Sequence, residues 1–559
     1  MRAAARPARA AASPSYSLGS ILGWFCAASA LASAALGSPI RQATPGVDPF
    51  SPGLRWLRPA TPTDPWIPGD VTFAGSGNLV WSAAAGPQGL WSLIEVPGAS
   101  PTGPRTPRSE HRAPQAPIAS IQSVAAERAE AFYGLRQETV TGFDKRTEVA
   151  AYQPYGLPAA APLDPLWRFD FGLTTTGPAR LATDAAGELV IAALLDAAAD
   201  QVEIVGLNGA DGAVLFRHSL AGSALNALCV ARDGGIFAVA AGLDVYAFRS
   251  DGTQLDHFVR SAATPALALS SSGRVLVAGG DARLDVRVRG RAGYRPARSV
   301  PFVAGVPVEL ALRAALSESG ERVAIAWWDR TSGVALRLEV WDLRRNARLL
   351  EFSQSGPVGG LQNVPEALVL SAQGDRVALG TWGLGGPEPE VMLFDVDSAQ
   401  LVFEANLPGS VHELDLDATG TRIVVAHKDT HANQFSSTGG IRLYDTGERD
   451  VVLLEAPRAG RELRVAARRS GAGAALFLVG SRASVARPLP GTGGMLALEL
   501  QGLRVFSRTT DGAGQAEWAV DVPHGNAWVG FPFAVQSAFR VAGATDLSAA
   551  VLDPLVLLP

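Results

Sequence analysis

Cysteine and lysine are almost missing from this chain. Among 559 residues only Cys26 and Cys229 are cysteines, which excludes a disulfide framework and any C-x-x-C metal or redox motif. Cys26 falls in a removable leader (below). Cys229 then stands alone in "ALNALCVARDGG", where the apolar strand pattern marks an inert thiol and not a nucleophile. Lysine occurs only as Lys145 and Lys428, so nearly all positive charge is arginine, spread along the chain at a net charge of -5. Nucleic-acid binding needs a clustered basic face and loses its support. No apolar run of about 18 residues follows the leader, so no membrane span is expected after processing. Long 3.6-period segments are absent too, as are G-x-S-x-G, HExxH and phosphate-loop motifs.

What is present is apolar and turn-rich. Hydrophobic residues make up 47% and charged residues 18%, with 60 Gly and 38 Pro. That composition belongs to a folded chain with many turns and argues against wholesale disorder. Arg2, Arg6 and Arg9 precede the apolar "SLGSILGWFCAASALASAALGS", the pattern of an export signal over residues 1–37. The expected location is therefore the periplasm, the cell surface or the medium. Residues 38–65 read as a Pro-rich lead-in, and 97–117, "PGASPTGPRTPRSEHRAPQAP", as a Pro-rich excursion.

Six segments share one pattern: a short apolar strand, a polar turn with glycine, and a second, more apolar strand. "LRAALSESGERVAIAWW" and "EALVLSAQGDRVALGTW" are two of them. Their turn glycines, Gly187, Gly234, Gly273, Gly320, Gly374 and Gly420, recur every 39 to 54 residues. The segments around Gly77 and Ala126 extend the series upstream. Third strands such as "LRLEVWD" and "GIRLYDT" follow, then fourth strands such as "RLLEFS" and "VVLLEA". Four antiparallel strands per period, each unit with apolar faces that only its neighbours can cover, is the pattern expected of a β-propeller. The expected fold is all-β: a propeller of eight blades, or seven, over residues 66–456. A separate β-sandwich is expected over 457–559, where the rhythm changes.

"LEVWDLRRNARLL", with Val340, Trp341 and Asp342, together with "MLFDVDSAQLV" and "IRLYDTGERDV", resembles the third-strand endings of WD40-like, YVTN-like and quinoprotein-like propeller repeats. "LNGADGAVLFRH" resembles the repeat of pyrroloquinoline-quinone (PQQ) proteins at that one place. The tail, with Val522, Pro523, Val529, Gly530, Gln536, Leu547 and Ser548, resembles small C-terminal modules on exported bacterial proteins. These resemblances imply a superfold, and a fold implies no activity. A PQQ cofactor is not expected, since the vicinal cysteine pair that many quinoproteins use is absent.

Chemistry concentrates in the loops after the second strands. "WWDRTSGVA", "TWGLGGPEPE" and "HKDTHANQFSSTGG" are long, whereas "AAGLDV" and "AGGDARLD" are short. Aligned without gaps, His427 falls in register with Trp327, and Lys428 with Trp328 and Trp382. Long loops on a rigid ring are where such scaffolds bind partners. The expected recognition rim is Trp327, Trp328, Asp329, Trp382, His427, Asp429 and His431, with aromatic rings stacking on a glycan or peptide. His427, Asp429 and His431 alternatively offer two nitrogens and an oxygen to a divalent metal. "DLDATG" from Asp415 copies the start of a calcium loop without its distal glutamate and reads as a polar turn. The leading expectation is a non-enzymatic binding or structural scaffold with a protein or glycan ligand. The alternatives are a quinoprotein-like oxidoreductase or another propeller enzyme, and a cell-surface structural protein.

Overall fold

The computed structural model describes residues 52–556 except 74–78, 86–89, 96–108, 113–117, 126–130, 142–143, 153–163, 282, 302–308, 358, 418–419, 437, 448–449, 455–457, 470–471, 481, 489–491, 494, 499–502, 525–531 and 542–543. The leader expected over 1–37 lies outside the described residues, as does much of the lead-in. Among the described residues there are strands and turns and no α-helix, so the protein is all-β.

The repeated segments form small antiparallel sheets joined strand to next strand. One runs Leu225–Val230, Ile236–Ala241, Asp244–Arg249, Gln254–Val259, and another Glu309–Leu316, Arg322–Asp329, Ala335–Asp342, Ala347–Ser355. The 19-residue strand Pro165–Thr183 is the exception. Its first half pairs with Asp144–Tyr152 and its second with Leu189–Asp196, fusing two four-stranded sets into a seven-stranded sheet.

Second strands are the most apolar because both their faces are covered: Ile236–Ala241 and Val275–Gly280 are buried throughout. Each sheet shares its core with the next. Phe237 and Val239 pack with Ile191 and Ile204, Ile325 with Val277, Leu379 with Leu338, and Val425 with Leu393. Trp81 stacks on Phe132 at 4.7 Å. The succession returns on itself, since Val71 and Val80 of the first sheet share a core with Val424 and Leu443 of the last. The first strands also touch in a closed order: Ile67–Phe73, Ile118–Ala125, Pro165–Thr183, Leu225–Val230, Ala266–Leu269, Glu309–Leu316, Pro365–Leu370, Val411–Leu416 and Ile67–Phe73 again. This arrangement is compatible with a β-propeller.

The turn glycines recur for two physical reasons. All six named above have φ between +59° and +77°, where a side chain is strained. A Cβ on Gly320 would also come within 2.8 Å of Ser270 and Val275 in the preceding sheet. The polar residue that opens each turn caps it: Ser270, Ser317 and Ser371 hydroxyls accept the Val275, Arg322 and Arg376 amides at 3.0, 3.1 and 3.0 Å. Asp417 does the same for Thr421 and Arg422. Asp415 accepts from Thr72 and Phe73 of the neighbouring sheet at 2.8 and 2.9 Å. The calcium-loop lookalike thus spends both carboxylates on structural bonds.

Three expectations change. Gly53–Pro59, inside the segment read as an irregular lead-in, is a strand that pairs antiparallel with Gly439–Asp445 and completes the last sheet. "VVLLEA" is not that fourth strand, because Val451–Leu453 pairs instead with Glu462–Arg468 of the C-terminal region. Within the expected excursion, Ser109–Arg112 is likewise a strand, paired with Leu90–Glu95.

Beyond residue 450 a three-stranded sheet (Val451–Leu453, Glu462–Arg468, Gln515–Asp521) and a five-stranded sheet containing Ala472–Gly480 and Pro532–Val541 share one core of Val465, Phe477, Trp518, Val535 and Phe539.

Candidate functional site

The expected rim divides into buried and accessible members. Adjacent residues of a strand face opposite ways, and of the two neighbouring tryptophans Trp327 points inward: it is fully buried, and its indole N–H donates to Glu339 at 3.1 Å. Trp327 is therefore a core residue and not a contact for a ligand. Trp328 is half-buried and donates to the Gly333 carbonyl at 3.1 Å. Asp329 accepts from the Thr331 amide and the Ser332 hydroxyl, both at 2.8 Å, and so shapes its own loop.

His427, in the Trp327 register, is buried as well. Its Nδ1–H faces the Lys428 carbonyl at 3.2 Å, and Nε2 accepts from Arg442 at 3.1 Å. Burial, and then the Arg442 charge, push its pKa down to about 4. Asp429 is half-buried, 3.7 Å from His427. His431 accepts the Asn433 amide on Nδ1 at 3.2 Å, which leaves Nε2–H to donate to the Gln362 carbonyl at 2.9 Å. Both nitrogens of both histidines are thus engaged by the protein, and a metal would have to displace those partners. No group of three His, Cys, Asp or Glu arranged for a metal occurs among the described residues.

Trp382 and His431 do meet, edge to face at 6.1 Å. Their loops are knitted by Ser410, whose hydroxyl donates to the Trp382 carbonyl at 2.8 Å and accepts the Ala432 amide at 2.7 Å. Phe435, at the tip of the same loop, is 97% exposed.

Beneath Trp382 lies a cluster on the first strands. The Trp382 indole donates to one oxygen of Glu366 at 3.1 Å, and Arg313 donates to the other at 2.6 Å and to the Glu366 carbonyl at 2.6 Å. His412 accompanies it, its Nδ1 3.1 Å from the Pro68 carbonyl. Register shifts at Pro68/Asp70, Ala311/Arg313, Pro365/Ala367 and Val411/Glu413 put β-bulges at matching places, and bulges re-aim side chains. Asp70, Arg180, Glu366 and Arg313 all act on one another or on Glu413 electrostatically, although they stand on five separate strands of the closed succession.

Burial, reinforced by the Asp70 carboxylate, pushes Glu413 up to about 8. Between its ordinary value of 4.5 and about 8 the folded protein keeps a proton that the unfolded chain releases. Stability therefore falls as pH rises through that window. Glu413→Gln is expected to flatten this dependence, recovering about 4 kcal/mol at pH 9 relative to pH 5. Urea melts of both proteins at the two pH values measure it, and parallel shifts in the two would refute the assignment.

The cluster was missed in sequence because only the second strands were compared. Asp70, Arg180, Arg313 and Glu413 stand at one common offset before Gly77, Gly187, Gly320 and Gly420, where sister units carry Ala227, Ala266 and Ala367. A lone charge at one register of otherwise apolar inner strands was the available signal. No protein-family model and no curated protein matches the chain.

Proposed function

We propose that the chain is an exported, non-enzymatic eight-bladed β-propeller followed by a β-sandwich, serving as a binding scaffold whose protein or glycan ligand meets the ring at the mouth of its axial channel. The observation that carries this reading is the Arg313–Glu366 pair bonded to the half-buried Trp382, with Asp70, Arg180 and Glu413 on other first strands at or next to the same register and within electrostatic reach of the pair or of one another. Counting each first strand as one blade gives eight, with Pro165–Thr183 serving two of them and Gly53–Pro59 closing the last. The basic and apolar leader supports export. Trp328, Trp382 and Phe435 supply ring faces or edges next to charged groups, the mixture that recognises sugars and peptides. Asp329, Asp429 and His431 organise the loops that hold them.

A second reading, an enzyme on the same ring, is favoured by one feature: a buried carboxyl raised toward neutrality is suited to general acid work. The scaffold is preferred because His427 and His431 have both ring nitrogens engaged, and no nucleophile stands beside Glu413 among the described contacts.

Screening the secreted chain against glycans and peptides, then repeating with Trp382→Ala, tests the proposal. Binding is expected to weaken roughly tenfold or more, with a melting midpoint lowered by only a few degrees. Unchanged affinity in Trp382→Ala would place the ligand elsewhere.

A further inference from the structure

The arginines occur along the whole sequence, but one hairpin collects them. From Arg274 to Arg298 the chain carries seven arginines against two aspartates, a net +5 in a protein of net charge -5. Most lie on Arg283–Gly290 and Gly293–Pro301, the third and fourth strands of their sheet. Both aspartates are already paired: Asp281 lies 3.5 Å from Arg330, and Asp285 meets Arg283 at 2.8 Å and Arg260 at 3.4 Å. Asp256, which faces the hairpin from the preceding sheet, accepts the Tyr294 amide at 2.7 Å, and Arg287 covers the Phe258 ring. Arg274, Arg289, Arg291 and Arg295 are exposed and make no ion pair among the described residues. The Arg289 amide bonds to the Arg274 carbonyl at 2.8 Å, which sets Arg274 beside the hairpin tip.

The positive surface continues onto the next sheet. Arg298 donates to the Asn346 side chain at 3.1 Å, and the turn that holds Asn346 also carries Arg344 and Arg345. Those two arginines, with Arg322, Ser319 and Gln373, line a polar cavity of about 370 Å³. Arg322 is held there by the Gly374 carbonyl at 3.0 Å and Asp397 at 2.7 Å, and Asp342 on the wall accepts the Arg345 amide at 2.7 Å. Successive turns are bonded together, the Ser271 amide to the Glu318 carbonyl at 3.0 Å and the Glu318 amide to the Ala372 carbonyl at 2.9 Å. Antiparallel strands alternate in direction, so these turns, after first and third strands, lie at the end of the sheets opposite Trp382 and the His431 loop.

We propose that this end of the sheets binds an acidic polysaccharide, one sugar unit seated in the cavity and the acid groups of its neighbours on the hairpin arginines. The site is separate from the Trp382 side and does not rest on the reading given for it. Guanidinium matches the two oxygens of a carboxylate or sulfate with parallel hydrogen bonds. The cavity wall mixes such donors with Ser319, Gln373 and Glu321, groups that bond sugar hydroxyls. A bilayer or a nucleic acid fits less well. Among the described residues no large apolar side chain from 260 to 400 is exposed, which leaves nothing to insert between lipids. The one aromatic side chain of the hairpin, Tyr294, is buried with its hydroxyl on the Gly273 carbonyl, so no base can stack on it.

The test is isothermal titration of the full chain with polygalacturonate, and with neutral dextran as control. Wild-type protein is expected to bind polygalacturonate, more weakly as salt rises from about 50 to about 200 mM, and not to bind dextran. Arg289→Gln, Arg291→Gln and Arg295→Gln combined should weaken binding roughly tenfold or more, and Arg344→Gln alone about threefold. Arg504→Gln, Arg508→Gln and Arg540→Gln combined remove as much charge from exposed positions of the C-terminal region and should change little. Equal loss in the two triple variants would mean that net charge alone attracts the polymer, and would overturn the site, as would binding of dextran. Tighter binding of duplex DNA or phosphatidylserine vesicles at equal salt would overturn the polysaccharide assignment. If the hairpin triple variant fails to fold, Arg291→Gln at the exposed tip decides, and unchanged affinity there refutes the assignment. Trp382→Ala should leave polygalacturonate binding intact; loss with a preserved melt would show one site where two are inferred.

Discussion

A chain begun after Pro59 is expected to lose its cooperative fold. Gly53–Pro59 is the outer strand of the sheet that also contains Val411–Leu416, and its register runs from Gly53 opposite Asp445 to Pro59 opposite Gly440. Trp56 is buried in the core that joins the first and last sheets, with Val71, Val424 and Leu443. Loss of Trp56 alone costs about 3–5 kcal/mol by the usual large-to-small scale. The whole strand adds its ladder, and the Gly439–Asp445 edge would be left open to intermolecular pairing. Together these approach the entire net stability of an ordinary domain, about 5–15 kcal/mol. Arg55, 3.5 Å from Asp445, and Arg58, paired with Glu110, would leave with it. Comparing chains that start at residue 38 and residue 61 by size exclusion and thermal melting measures this. A monomeric shorter chain melting within a few degrees of the longer one would show that closure does not depend on the strand.

That strand also shows why closure was not legible. "GLRWLRP" pairs with a partner almost four hundred residues away in sequence, Gly53 opposite Asp445, and nothing local distinguishes it from the Pro-rich residues around it. "VVLLEA" follows the last third strand directly and has the better strand composition, so local reasoning preferred it. Loop-closure entropy grows slowly with chain length, so a distant partner can still win when its side chains fill the joint core. Trp56 does so here.

The repeats were legible because their punctuation is backbone-dictated. At Gly234, Gly273, Gly320, Gly374 and Gly420 a glycine with φ between +59° and +77° stands against the preceding sheet, so it must recur. Strand phase was less legible. Trp327 and Trp328 are adjacent, and sequence alone does not say which faces in. The column shared by Trp327, Thr381 and His427 is the buried one, while Trp328 and Trp382 of the next column are half-buried. Of the expected rim, Trp328 and Trp382 are half-buried, His431 is buried and organises its loop, and Trp327 and His427 belong to the interior. The charged cluster on the first strands was hidden for another reason: its members lie on separate strands far apart in sequence, and only the closed succession of sheets brings those strands together.

The Trp327 and Trp328 substitutions should accordingly diverge. Trp327 fills a fully buried site among Val277, Leu284, Ile325 and Val323, and its indole N–H shares Glu339 with Trp341, each at 3.1 Å. Glu339 also receives Arg337 and, at 3.2 Å, Arg348, and the Arg337 guanidinium lies 5.5 Å from the Trp327 ring centre. Trp327→Ala opens a cavity and strips one donor from a buried carboxylate, so it should cost about 4 kcal/mol or more. Trp328→Ala removes one bond to the Gly333 carbonyl and part of a half-exposed surface, which is worth about 1 kcal/mol. Urea melts of both variants measure the difference, and equal destabilisation would mean that the inward phase of this strand is misassigned. The divergence also governs how binding data on this face are to be read. Ligand loss in Trp327→Ala would report a collapsed sheet, whereas ligand loss in Trp328→Ala or Trp382→Ala with a preserved melt reports contact.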